Sequence, residues 1–186
     1  MRQLFNLLFI VAVLFMVSCK QNTEGTSTTT AIDHSAAVDG VGQSNVQDDV
    51  SNPNVVQVAV GSKDHTTLVT AVKAAGLVDA LSNAGPFTVF APTNAAFEKL
   101  PAGTVEGLLK ADKKADLTNI LEYHTYVGVL NTNIMGDGQE FDMVNGKKVK
   151  ISVKDGKYFV NDSEIVGTVK ASNGIIHVIN DVLLPK

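Results

Sequence analysis

From residue 53 onward the apolar positions of the chain follow two different periods. Val55-Val56-Gln57-Val58-Ala59-Val60 is rich in β-branched residues and predicts a strand. Leu68, Ala71, Val72 and Ala75 fall at i, i+3, i+4 and i+7, one face of a helix. Asp64 or Thr66 is expected to cap that helix, and Gly76 to stop it. A short second helix is predicted over 78–81, ended by Asn83-Ala84-Gly85-Pro86. Phe87-Thr88-Val89-Phe90-Ala91 predicts a strand, which Pro92-Thr93 breaks before a helical turn over 95–100. Val105, Leu108 and Leu109 mark another helical face. Leu117, Ile120, Leu121 and His124 mark a further one, with Gly128 as its expected end. Beyond Gly138 the period shortens. Phe141-Asp142-Met143-Val144 and residues 147–153 flank Asn145-Gly146, a strong hairpin signal because both residues tolerate positive φ. Lys154-Asp155-Gly156-Lys157 forms a second turn into Tyr158-Phe159-Val160, and runs at 165–169 and 175–184 complete the set. Helices come first and strands mostly after, the signature of an α+β domain.

Ahead of residue 53 the pattern changes character. Residues 4–17 are apolar and uncharged apart from the polar Asn6, and they follow Arg2, the order of a secretory signal. The run falls short of the about 20 apolar residues needed to span a bilayer. It ends in Met16-Val17-Ser18-Cys19, which resembles a bacterial lipobox. Cys19 is the only cysteine of the chain and stands where acylation requires a thiol. Each buried acyl methylene contributes about 0.8 kcal/mol, so two or three chains hold a protein on a membrane. Residues 20–52 are dominated by Thr, Ser, Gly, Asn, Gln and Asp, including Thr26-Ser27-Thr28-Thr29-Thr30. Too little apolar surface is present to offset ordering entropy, so this stretch reads as a flexible tether. The expected organisation is a signal peptide over 1–18, an acylated N-terminus and tether over 19–52, and one domain over 53–186. Lys20, rather than an Asp, follows the cysteine and points to the outer membrane, with periplasmic and surface-facing placements both open.

Composition narrows the function classes. Hydrophobic residues make up 45% of the 186, enough for a core, and charged residues 18%, below the roughly 25% of an average chain. The net charge is −4 and no basic stretch stands out that would neutralise a row of phosphates, so nucleic acid is not an expected partner. Trp is absent, which leaves no evident stacking platform.

Candidate chemistry is sparse. None of His34, His65, His124 and His177 lies three to five residues from another, as a helical or hairpin metal site prefers. His34 and Asp48-Asp49 sit in the tether without further ligands, so no metal and no cofactor are expected. His124 falls on an apolar helical face and reads as a buried histidine with a bonded partner, since an unpaired one costs about 1–3 kcal/mol. His177 reads as a partly buried strand residue. No Gly-x-Ser-x-Gly elbow occurs. Gly136-Asp137-Gly138 with Glu140 lacks the further ligands of a calcium loop and the Lys of a phosphate loop, and reads as a solvated turn. Asn161-Asp162-Ser163 reads as another turn. With no ionisable constellation in sight, an enzyme is not expected.

Three segments together resemble a known family. Phe87-Thr-Val-Phe-Ala-Pro-Thr-Asn-Ala-Ala-Phe97 resembles the first conserved box of fasciclin (FAS1) domains. Tyr123-His124 resembles their central Tyr-His motif, and Gly174-Ile-Ile-His-Val-Ile-Asn-Asp-Val-Leu-Leu-Pro185 their second box. The order and spacing are those of the family, and the similarity covers 55–185. The resemblance implies a compact wedge of two small packed β-sheets with a helical layer from the N-terminal half. It implies adhesion or binding at cell surfaces and matrices, and no reaction. Partners would be the membrane, through the N-terminal lipid, and a protein or glycan surface ligand. Tyr123 and His124 are then the candidate binding residues. Thr93, Asn94 and His124 form a candidate structural motif in which His124 takes its partner from the first box. Tyr123, being adjacent, should point elsewhere, packed under a loop with its hydroxyl bonded. Two departures stand out: Asn94 occupies a position that is Asp in many members, and no Arg-Gly-Asp triplet is present. The alternative is a periplasmic ligand-binding or sensor-partner lipoprotein, for which a deep apolar cavity would be the discriminating feature.

Overall fold

A computed structural model describes residues 52–185. The signal, Cys19, His34, Asp48-Asp49 and the tether lie outside the described residues. The first described element corrects the sequence pattern, because Val55–Val60 is a helix (α1), not a strand. Asn54 Oδ1 accepts from the N–H groups of Val56 and Gln57 at 3.0 and 2.9 Å, while Gln57 Oε1 accepts from Asn54 N–H at 2.9 Å. This reciprocal capping box satisfies the orphan donors of the first turn, an effect of about 1 kcal/mol that rivals the whole β-propensity scale. Burial then decides the outcome: Val55 is interior, and Val56 and Val58 pack among residues of α2 (Thr66–Ala75) and α3 (Val78–Ser82).

Helix α2 buries Leu68, Ala71, Val72 and Ala75, as their spacing predicts, and stops at Gly76, whose φ of 73° is the left-handed cap. Neither Asp64 nor Thr66 caps its start; that role comes from a distant residue described below. Strand β1 (Phe87–Pro92) leads into α4 (Asn94–Glu98), α5 (Thr104–Leu108) and α6 (Lys114–Tyr123). Helix α6 ends at Tyr123, well before Gly128. Its last carbonyls bond to side chains, Ile120 O to His124 and Leu121 O to Thr125 Oγ1, and the chain then pairs with β1 as β2 (Thr125–Val127). Gly128, at φ 140°, follows that strand.

The remaining strands are β3 (Glu140–Asp142), β4 (Lys148–Lys154), β5 (Lys157–Val160), β6 (Ser163–Ala171) and β7 (Gly174–Ile179). Hydrogen bonding runs in the order β2-β1-β7-β6-β5-β4-β3. β1 and β7 are parallel, with Phe87 opposite Gly174 and Pro92 opposite Ile179; the other pairs are antiparallel. β6 joins two halves. Its start pairs with β5 through Ser163 and Glu164, an irregularity follows between Ile165 and Gly167, and the rest pairs with β7.

The turns sort by chemistry. Asp155 and Gly156 take φ of 51° and 75°, a tight two-residue hairpin turn. Asn145-Gly146 sits in a wider loop in which Gly146 alone takes positive φ, and Asn145 bonds instead to Lys147 N–H and to Asn119. β7 closes at Ile179, short of the predicted 184, as Asn180 turns its side chain to Glu164 N–H.

Two apolar clusters build an α+β wedge with three layers. Phe90 of β1 and Ile179 of β7 meet Val149, Ile151 and Val160 of β4 and β5, so the two sheet halves enclose one core. Ala91 and Ile176, on the opposite face of the same central strands, meet Leu68, Val72, Leu117 and Leu121 of the helical layer.

Candidate functional site

The end of α6 positions the Tyr-His pair. Tyr123 is 5% exposed; its hydroxyl donates to Lys148 O at 2.9 Å and accepts from Asn161 Nδ2 at 3.2 Å. It is packed under the 161–163 turn and does not present its hydroxyl to solvent. His124 is 2% exposed and points the other way. The expectation that its partner comes from Thr93 or Asn94 is not met. Nδ1 lies 2.7 Å from Ile120 O, so it carries the proton and donates; Nε2 accepts from Leu183 N–H at 3.0 Å. That tautomer ties α6 to the C-terminal tail and leaves no room for a second ring proton. Burial lowers its pKa to about 4, against the partial opposing effect of the Ile120 bond.

Thr93 and Asn94 act locally on helices. Thr93 Oγ1 accepts from Ala96 N–H and so caps α4, while its own N–H donates to Ile179 O. Asn94 Oδ1 accepts from Thr67 N–H at 3.1 Å and from Thr66 Oγ1 at 3.2 Å, and Nδ2 donates to Lys63 O at 3.0 Å. Asn94 therefore caps α2 from across the fold. An Asp in its place would keep the acceptor and lose the donor to Lys63.

His177 and Asp137 are structural as well. His177 is fully buried, which corrects the expectation of partial burial. Its Nε2 donates to Leu130 O at 2.6 Å, Nδ1 accepts from Thr168 Oγ1 at 2.9 Å, and the ring stacks on Phe90 with centroids 5.6 Å apart. Burial lowers its pKa, as it does that of His65. Asp137 uses Oδ1 to accept from Val153 N–H, so the Gly136–Gly138 turn is a brace on β4. Two residues that drew no notice in the sequence matter more. Thr88, wholly buried within an apolar strand, donates to Gly128 O and accepts from Leu130 N–H. Asn173 accepts from Val55 N–H and donates to Leu81 O and Asn83 O, fastening α1 to the end of α3. A polar residue inside an apolar run was the available signal for Thr88; nothing local marks Asn173.

The two apolar crevices that reach the interior are small. Crevices of about 40 and 30 Å3 share Leu68, Leu121 and His124 in mainly apolar walls, the first also touching Lys73 and Thr125. Each has room for about a water molecule, against about 300–1,000 Å3 for small-molecule sites. Two hollows of about 380 and 360 Å3 are open to solvent rather than enclosed. Among the described residues no three His, Cys, Asp or Glu gather as a metal site, and no helix is long and apolar enough to cross a membrane.

The model of the fasciclin domain family matches residues 63–185. The chain belongs to the fasciclin domain family. Protein sll1483 of Synechocystis sp. is 50% identical over 132 residues, covering 70% of this chain and 73% of that protein. Transforming growth factor-beta-induced protein ig-h3 of Sus scrofa is 37% identical over 70% of this chain, which corresponds to 19% of that longer protein. Among solved structures, a FAS1 domain pair from the insect cell adhesion molecule Fasciclin I aligns with a TM-score of 0.63 at 21% identity, covering 73% of this chain and 52% of that one. At that identity the likeness speaks for the fold alone. The fasciclin boxes serve that fold: the first supplies β1 and two helix caps, the Tyr-His pair closes α6, and the second supplies β7 and its buried histidine.

Proposed function

We propose that this fasciclin domain is a lipid-anchored extracytoplasmic binding module that attaches cells to a surface or matrix and catalyses no reaction. One observation carries the reading: the side chains of Tyr123, His124, Thr88 and His177 are buried and bonded within the fold, so contact with a partner falls to the outside of the wedge. Family membership supports adhesion, because the fasciclin boxes at 87–97, 123–124 and 174–185 imply binding at cell surfaces and matrices. The lipobox at Cys19 and the tether support anchoring with enough reach for the domain to meet a partner. The apolar crevices are too narrow to be the deep apolar cavity that the alternative of a periplasmic small-molecule receptor calls for.

The test compares cells expressing the full chain with cells expressing Cys19→Ser. The variant is expected to leave the membrane fraction and to abolish attachment to the surface that wild-type cells bind. Protease shaving of intact cells reports the side on which the domain lies. Wild-type cells that attach no better than cells lacking the protein would refute the reading.

A further inference from the structure

Five of the fifteen Lys and Arg residues of this acidic chain lie within eleven residues, Lys147, Lys148, Lys150, Lys154 and Lys157. Interleaved apolar residues keep them from reading as a basic run, but strand alternation sorts them by face. Val149 and Ile151 turn into the core, so Lys148, Lys150, Ser152 and Lys154 project outward from β4. On β5, Tyr158 packs on the core and Val160 is buried in it, which leaves Lys157 and Phe159 outward. The result is a row of cations about 20 Å long.

Two details set this row apart from an ordinary solvated face. Lys154 stands directly opposite Lys157, a like-charge pairing that costs stability. Phe159 lies half-buried beside them with the Lys154 ammonium 5.6 Å from its ring centroid, an apolar platform edged by positive charge. Lys150 stands opposite Glu140, whose carboxylate turns to Lys148, and makes no ion pair of its own among the described residues. The row is also narrow. Glu140 and Asp142 of β3 line one side and Glu164 of β6 the other, and Glu140 and Glu164 take up Lys148 and Lys157 at 3.5 and 2.8 Å.

We infer that the outer face of the β4–β5 hairpin binds an acidic polysaccharide along the strand direction. Carboxylates of a uronate chain would meet Lys150 and Lys154, and the C–H face of one sugar would lie on Phe159. The acidic borders favour this occupant over a lipid surface, since an anionic membrane is far wider than one strand spacing of about 4.8 Å and would press on the flanking carboxylates. A single aromatic ring suits one sugar; a run of stacked bases needs more. The inference rests on the adhesion reading and names its partner.

The purified full chain is tested on immobilised polygalacturonate, with dextran as the uncharged control. Binding to polygalacturonate should weaken at high salt. The K150E/K154E double variant should weaken it at least about tenfold, and Phe159→Ala by roughly three- to tenfold, with unchanged thermal unfolding. K110E/K113E, on the α5–α6 connection, should bind as wild type. Equal affinity for dextran, or equal loss in K110E/K113E, overturns the inference. So does tighter binding to anionic phospholipid vesicles or single-stranded DNA with the same sensitivity to K150E/K154E. Cell attachment separates the two levels. If K150E/K154E cells attach normally, adhesion stands and this face is not its site; if wild-type cells do not attach, the adhesion reading itself falls.

Discussion

Acid should weaken this domain by an amount that His124 largely dictates. The ring donates to Ile120 and accepts from Leu183 N–H, so the added proton of an imidazolium would face another proton in a buried site. The folded-state pKa is about 4 against an ordinary 6.5. Between those values the unfolded chain binds a proton that the folded chain refuses. The contribution of His124 is therefore fully present above pH 6.5, is lost at about 1.4 kcal/mol per pH unit as pH falls below it, and levels off below about 4. From pH 7.5 to 5 the loss is about 2 kcal/mol, a large fraction of an ordinary domain's 5–15 kcal/mol. His65 and His177 shift in the same direction and deepen the acid loss. The assay is urea unfolding followed by circular dichroism at pH 7.5, 6 and 5, on wild type and His124→Gln. At pH 7.5 the variant, whose amide cannot serve both Ile120 and Leu183, should be less stable by about 1–3 kcal/mol. Because it has no proton to take up at that position, the gap should narrow by about 2 kcal/mol at pH 5. A gap that stays constant with pH would refute the assignment of the buried neutral tautomer.

Other outcomes follow from the same contacts. Asn173→Ala removes three bonds that hold α1 against α3, and should cost about 2–3 kcal/mol in urea unfolding and speed amide exchange across Val55–Val60 first. Gly174→Ala places a Cβ against the Phe87 backbone at the parallel β1–β7 pair, and should cost at least about 3 kcal/mol or abolish soluble expression. Tyr123→Phe loses the hydroxyl bonds to Lys148 and Asn161, and should lower stability by about 1 kcal/mol in thermal unfolding while leaving cell attachment intact, because the side chain is interior.

The sequence by itself determined most of the element order and the family. The i, i+3, i+4, i+7 spacing of Leu68 to Ala75 needs only local geometry to imply a buried helical face, and Gly76 needs only its own backbone freedom to end it. The same holds for Phe87-Thr-Val-Phe-Ala and for the Asp155-Gly156 turn, where local preference and tertiary placement agree. Tertiary structure decided the rest. Residues 55–60 prefer the strand by composition, and a capping box plus a place on α2 and α3 makes them a helix, since local propensity is small beside burial. The partners of the Tyr-His pair were equally illegible: Leu183 lies 59 residues from His124, and Lys148 25 from Tyr123. Asn94 caps a helix that begins 28 residues earlier, at Thr66. Hydrogen bonds across such separations are fixed by packing, and no local pattern encodes them. The lysines of β4 and β5 were visible as residues; only the pleat and the hairpin pairing put them on one face.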